Sequence, residues 1–137
     1  MTEQEVFTKL KPLIREITGA RDDQIHLDSV VMLDLGAESI DLLDFSFLIE
    51  ETFGVTLEPD ELEQQARQRI PGGVYETDGV LTAAALEELK RALPEVPPHL
   101  LSPGLKKIEL PSVLTVAVFV HLIQRKLAEK GTEHAQG

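Results

Sequence analysis

The chain has 137 residues, no cysteine and no tryptophan, and its formal net charge at pH 7 is −11. That length suits one domain with an elaboration, and the absence of cysteine excludes disulfides, thiolate metal ligands and a cysteine nucleophile. The acidic balance argues against nucleic-acid binding, because phosphate backbones require Lys and Arg, and no apolar run is long enough to span a bilayer.

Thr2 and Glu5 form a capping-box pair, and Val6, Leu10, Leu13, Ile14 and Ile17 recur at helical spacing. Together they predict a first helix from Thr2 to Gly19. Pro12 has no amide donor, so a kink or an irregular last turn is expected. Residues 20–38 read as a long ordered loop anchored by Ile25, Leu27, Val30, Leu33 and Leu35. A second helix is predicted from Ser39 to Phe53, stopped by Gly54, and it carries two apolar stripes. Leu42, Phe45, Ile49 and Phe53 are assigned to the core. Ile40, Leu43 and Phe47 are assigned to a partly exposed face, because the acids beside them would be costly to bury unpaired.

Glu58-Pro59-Asp60 reads as the start of a short helix with Pro in its first turn. Pro71-Gly72-Gly73 reads as a turn, and Thr82 as the cap of a helix over Ala83–Leu93 whose stripe is Leu86, Leu89 and Leu93. Pro94, Pro97, Pro98 and Pro103 then predict an extended linker studded with Leu100, Leu101, Leu105, Ile108 and Leu110. Thr115 is placed to cap a last helix with Val116, Phe119, Val120, Ile123 and Leu127 on one face, and residues 131–137 are expected to fray. The expectation is an all-α fold in a single domain. Its bundle covers about 2–66 and 111–130, and a loosely packed insertion covers about 67–110.

From Asp22 to Ala66 there is no Lys or Arg, so nearly all the net charge surrounds Ser39. Such a segment suits docking onto basic partner surfaces. Ser39 opens a helix with no basic group beside it, lies outside any G-x-S-x-G run, and is better placed to be modified than to catalyse. His26, His99, His121 and His134 lack metal-ligand spacing, the acids form no calcium loop, and Gly72-Gly73 lacks the Lys of a phosphate loop. The N-terminal run Met1-Thr2-Glu3-Gln4-Glu5 is acidic and unlike a signal segment, so a cytoplasmic protein is expected.

The run Asp34-Leu35-Gly36-Ala37-Glu38-Ser39-Ile40-Asp41 resembles the phosphopantetheine attachment site of acyl carrier proteins, whose core reads Asp-x-Gly-x-Asp-Ser-Leu. Glu38 and Ile40 are conservative replacements. Glu50-Glu51-Thr52-Phe53 resembles the family's Glu-Glu-x-Phe helix ending, and Thr115 to Ile123 resembles its last helix, Thr-Val-x-Asp-Leu-Val-x-x-Ile. The insertion lies outside the usual pattern.

The resemblance implies a carrier, not an enzyme. A transferase would attach 4′-phosphopantetheine from coenzyme A to Ser39, flanked by Gly36 and Glu38. Acyl intermediates would then be held for fatty-acid, polyketide or specialised lipid synthesis. The implied partners are a phosphopantetheinyl transferase and a ketoacyl synthase, acyltransferase or similar enzyme, meeting Ile40, Asp41, Leu43, Asp44, Phe47 and Glu51 of a monomer. Leu42, Phe45, Ile49, Phe119, Val120 and Ile123 are the expected lining for an acyl chain. A peptidyl or aminoacyl carrier, an unmodified acidic interaction module and a Ser39 hydrolase are the alternatives. Ala37-Glu38 fits an acyl carrier better than the Gly-Gly-x-Ser style of peptidyl carriers. The insertion is expected to act as a lid that widens the site or selects a specialised synthase.

Overall fold

The computed structural model describes residues 1–136 apart from Pro59, and the side chains of all of these except 131–136. Helix α1 spans Glu3–Thr18. Its capping box forms as the sequence suggests: the Glu5 amide donates to Thr2 Oγ1 at 3.1 Å and the Thr2 amide to Glu5 Oε1 at 3.0 Å. The helix runs through Pro12 without a break and ends at Gly19, burying Val6, Phe7, Leu10 and Ile14 against the bundle. Helix α2 spans Ser39–Phe53 and helix α3 spans Glu61–Arg69. The proline expected in the first turn of α3 is Pro59, which lies outside the described residues. Helix α4 spans Ala83–Ala92, and α5 spans Val116–Gln136, so the backbone from Gly131 continues the last helix. Among the described residues no helix is long and apolar enough to cross a membrane.

α2 and α5 lock through Phe45 and Phe119, whose rings meet edge to face with centroids 5.1 Å apart. That geometry sets a positive ring edge on a negative face and adds about 0.5–1.5 kcal/mol beyond burial. The loop before α2 is ordered by its apolar anchors, but not all those expected. Ile25, Val30, Val31 and Leu35 are buried, whereas Leu33 is 61% exposed; Val31 fills the inward place assigned to Leu33.

The insertion departs furthest from its sequence reading. It carries a two-stranded antiparallel hairpin, β1 (Glu76–Thr77) and β2 (Val80–Leu81). Asp78 and Gly79 both take positive φ, +52° and +82°, as a tight two-residue hairpin turn demands. Asp-Gly was the signal available for it. The linker after α4 returns to this hairpin: the Leu81 amide donates to the Leu105 carbonyl at 3.0 Å and the Lys107 amide to Gly79 at 2.9 Å. A segment read as poorly bonded is thus stitched down.

Its side chains are buried accordingly. Tyr75, Leu86, Leu89, Leu93, Val96 and Leu101 belong to one hydrophobic cluster with the bundle residues, and Leu89 and Leu101 are fully buried. The insertion is therefore packed structure, not a loose lid. Ile108 is the exception among the expected studs, at 82% exposed.

His121 of α5 ties three parts of the chain together. Its Nε2 lies 2.8 Å from Glu3 at the start of α1, and its Nδ1 lies 2.6 Å from Glu95 in the linker after α4. Burial alone would lower the imidazole pKa from 6.5, but the hydrogen bonds to Glu3 and Glu95 outweigh it and the net shift is upward. A raised folded pKa means that this stabilisation is fully present below the unfolded value and is lost as pH rises through the folded one.

Two outcomes are expected. Leu89→Ala should destabilise the protein by about 2–5 kcal/mol in denaturant melts, as a core truncation does; a loosely packed lid would lose under ~1 kcal/mol. Between pH 6 and pH 8 the wild type should lose more thermal stability than His121→Gln, and equal losses would exclude the clasp.

Candidate functional site

The segment that presents Ser39 is set from both ends. Upstream, the Val30 amide donates to Asp34 Oδ2 at 2.7 Å while the Asp34 amide donates to the Val30 carbonyl at 2.7 Å, closing a turn. The Ala37 amide then donates to the Val31 carbonyl at 3.2 Å, which seats Ala37 in the core. Downstream, Glu38 is the N-cap of α2, and its amide donates to Asp41 Oδ2 at 2.8 Å. Gly36, between them, has φ +81°, and a Cβ there would meet nothing within 4 Å. The backbone conformation, not space, requires glycine at this point.

Ser39 is consequently the first residue of α2 and not its cap. Its side chain is exposed, and among the described residues its hydroxyl has no hydrogen-bond partner. First-turn amides lack acceptors within the helix, and the dipole there is positive, which suits a phosphodiester beside the hydroxyl. The described residues hold no His, Cys, Asp and Glu cluster fit for a metal ion.

Ser39 stands at the wall of a groove of about 310 Å³. α2 contributes Leu42, Leu43 and Ser46; Leu57 and Leu62 come from the start of α3 and the turn before it. Leu114, Phe119 and Leu122 close the far side, with Glu58 and Glu61 adding polar groups. Of the side chains expected to line an acyl site, Leu42 and Phe119 border this groove. Phe45, Ile49, Val120 and Ile123 are sealed in the core beneath it, at 0–1% exposed. Leu42, assigned to the core, is only partly buried, because its turn of α2 faces the groove. Leu57, Leu62, Leu114 and Leu122 were missed. They belong to segments whose mutual approach no local pattern encodes, though Leu122 falls in the last helix's apolar run.

The exposed face of α2, which meets the groove at Leu43, is built differently. Ile40, Leu43 and Phe47 are 67%, 54% and 57% exposed, beside Asp44 and Glu51, which are also exposed. Asp41 is partly buried. Among the described residues no ion pair involves Glu38, Asp41, Asp44, Glu50 or Glu51. The chain's cations go elsewhere. Lys126 pairs with Glu61 at 2.6 Å, Lys107 with Glu63 at 2.9 Å, and Lys130 donates to the Gly54 carbonyl at 3.0 Å.

Comparison with known proteins bears on this same stretch. A family model described as a phosphopantetheine attachment site matches residues 8–67, ending where the insertion begins. An acyl carrier protein of Petrotoga mobilis is 39% identical over 64 residues, which is 47% of this chain and 75% of that relative. One from Lactobacillus acidophilus is also 39% identical over 64 residues, covering 47% of this chain and 80% of the relative. One from Guillardia theta is 38% identical over 64 residues, covering 47% and 79%. No solved structure matches the chain significantly.

Proposed function

The chain belongs to the acyl carrier protein family, and we propose that Ser39 is the residue that bears its arm. The cofactor is a covalently attached 4′-phosphopantetheine, and the protein is a carrier, not a catalyst. The observation that carries the assignment is the exposed, unpartnered hydroxyl at the first residue of α2, beside an apolar groove. In the loading step the Oγ–phosphorus bond forms as the diphosphate bridge of coenzyme A breaks, and the adenosine bisphosphate leaves. The hydroxyl proton goes to a base on the transferase, since this chain sets none beside Ser39. The arm's thiol supplies the thioester by which an acyl group is carried.

What this chain's own residues do is position and receive. Gly36 and Asp34 hold the turn that leads into Ser39, and Glu38 starts α2 at that point. The groove wall of Leu42, Leu57, Leu62 and Phe119 offers an apolar surface to a carried chain, at about 0.8 kcal/mol per buried methylene. This favours aliphatic acyl cargo, as in fatty-acid, polyketide or specialised lipid synthesis, over aminoacyl cargo. The unpaired acids of α2, with Ile40, Leu43 and Phe47 among them, form the docking face for basic surfaces of the transferase and of acyl-processing enzymes. This reading has the protein working as a monomer in the cytoplasm, where coenzyme A and its transferase meet it.

Incubation with coenzyme A and a phosphopantetheinyl transferase should add one arm to the wild type and none to Ser39→Ala, read by intact mass. An arm on any other serine would overturn the assignment. Reversing Asp41 and Asp44 to Lys should slow arm transfer about tenfold or more at low salt and flatten its dependence on ionic strength. A rate unchanged by both reversal and salt would remove the docking role.

A further inference from the structure

Helix α3 is attached unevenly along its length. Of its nine residues only Ala66 is buried, and Ile70 just beyond its end joins the core. Arg67 adds to that end, its guanidinium lying 5.1 Å over the ring of the buried Tyr75. The first turn has no fully buried side chain. Glu61 and Leu62 stand there in the wall of the groove at Ser39.

That turn is tied down by charge. Lys126 of α5 donates to Glu61 at 2.6 Å, and Lys107 of the insertion donates to Glu63 at 2.9 Å. Lys107 is itself anchored: its amide donates to the Gly79 carbonyl at 2.9 Å, and its ammonium lies 3.7 Å from Glu76 of β1. The hydrogen bond from Lys107 holds the Glu63 carboxyl below its usual range, so this tie is charged on both sides at neutral pH.

A wall held in this way yields differently from a packed one. Core contacts resist displacement over a whole face, whereas a charged hydrogen bond acts at one point and is gone once its atoms part by about 1 Å. A chain that outgrows the groove presses on Leu62, where the wall has least packing to lose. The two lysines are what resists.

Resting on the reading of Ser39 as the arm-bearing residue and of its groove as the acyl site, we propose that Lys107 is a positioning residue for chain length. With Lys126 it fixes the first turn of α3 and so caps the acyl chain that the groove shelters. Lys126 supplies the tie from within the bundle, and Lys107 the one that the insertion adds. Lys107 does not itself line the groove, so the insertion sets the limit without touching the chain.

The test loads Ser39 with straight acyl groups, butyryl to hexadecanoyl in two-carbon steps, from acyl-coenzyme A with a phosphopantetheinyl transferase. Each loaded form is melted against the same protein bearing the bare arm, so that a variant's own loss of stability cancels. In the wild type the gain should grow by about 2–4 °C per sheltered methylene and then level off. Lys107→Met keeps the aliphatic stem and leaves Glu63 paired with Arg67, and its gain should level off at least one step later. Lys107→Arg keeps the charge and should level off with the wild type. A merely structural lysine would lower every melting temperature and leave the levelling point where it is. An unchanged or earlier levelling point in Lys107→Met overturns the proposal, as does a wild-type gain that never levels off. Should Lys107→Met not fold, Glu63→Gln cuts the same tie and is read in the same way. A wild type that takes no arm on Ser39 fails at the mass step and takes that reading down, and no gain at any length takes down the groove as an acyl site. Chains sheltered to one common limit in every variant sink the role of Lys107 alone.

Discussion

The structure hangs on how the first turn of α5 is satisfied. A helix start leaves amides without partners, and this one is buried: Thr115 and Val116 are both fully inaccessible. The partners come from the loop between α1 and α2. The Val116 amide donates to the Ser29 carbonyl at 2.9 Å and the Ala117 amide to Leu27 at 2.9 Å, while the Val31 amide returns a bond to Leu114 at 3.1 Å. Leaving such groups unpaired would cost about 1–3 kcal/mol each. The exchange fixes the loop, and the loop fixes the Asp34 turn, Ala37 and the entry into α2. The position of Ser39 is in this sense a by-product of capping a distant helix.

Charge is divided along the same lines. Lysines from α5 and the insertion neutralise the acids of α3, so that helix can pack against α4. The acids of α2 receive none. There the carboxylates remain solvated, and the apolar side chains of Ile40, Leu43 and Phe47 stand in water among them. The insertion thus serves the bundle's far side, and leaves the face of α2 bearing Ile40, Asp44 and Phe47 uncovered.

What the sequence revealed follows from what is local. The Thr2–Glu5 capping box, the α2 boundaries, the Thr82 cap with its Ala85 partner at 3.1 Å, and the Thr115 cap are short-range signals, and each stands where it was read. Misreadings arose where long-range packing decides. Leu33 and Val31 are both apolar and near neighbours; only the bond from Val31 to Leu114 selects which one turns inward. The prolines from Pro94 to Pro103 suggested loose backbone because proline forbids regular structure, yet irregular backbone can be fully docked, as Leu101 is. The groove was half legible for the same reason. Leu42 lies on a helix whose period is readable, whereas Leu57, Leu62 and Leu114 approach it from segments that no periodicity relates.

The bridge between Val30 and Thr115 also has a consequence in time. Its two residues are far apart in the chain, so the entropy of closing that loop must be met before the contact forms. On the ribosome, α1 and α2 emerge well before Thr115, and until it does, the carbonyls of Leu27 and Ser29 have no helix to serve. The setting of Ser39 therefore matures only after the insertion and the start of the last helix have been made. An enzyme that requires that setting would distinguish a finished chain from a nascent one, and the helix at one end acts as the signal that the serine near the other is ready.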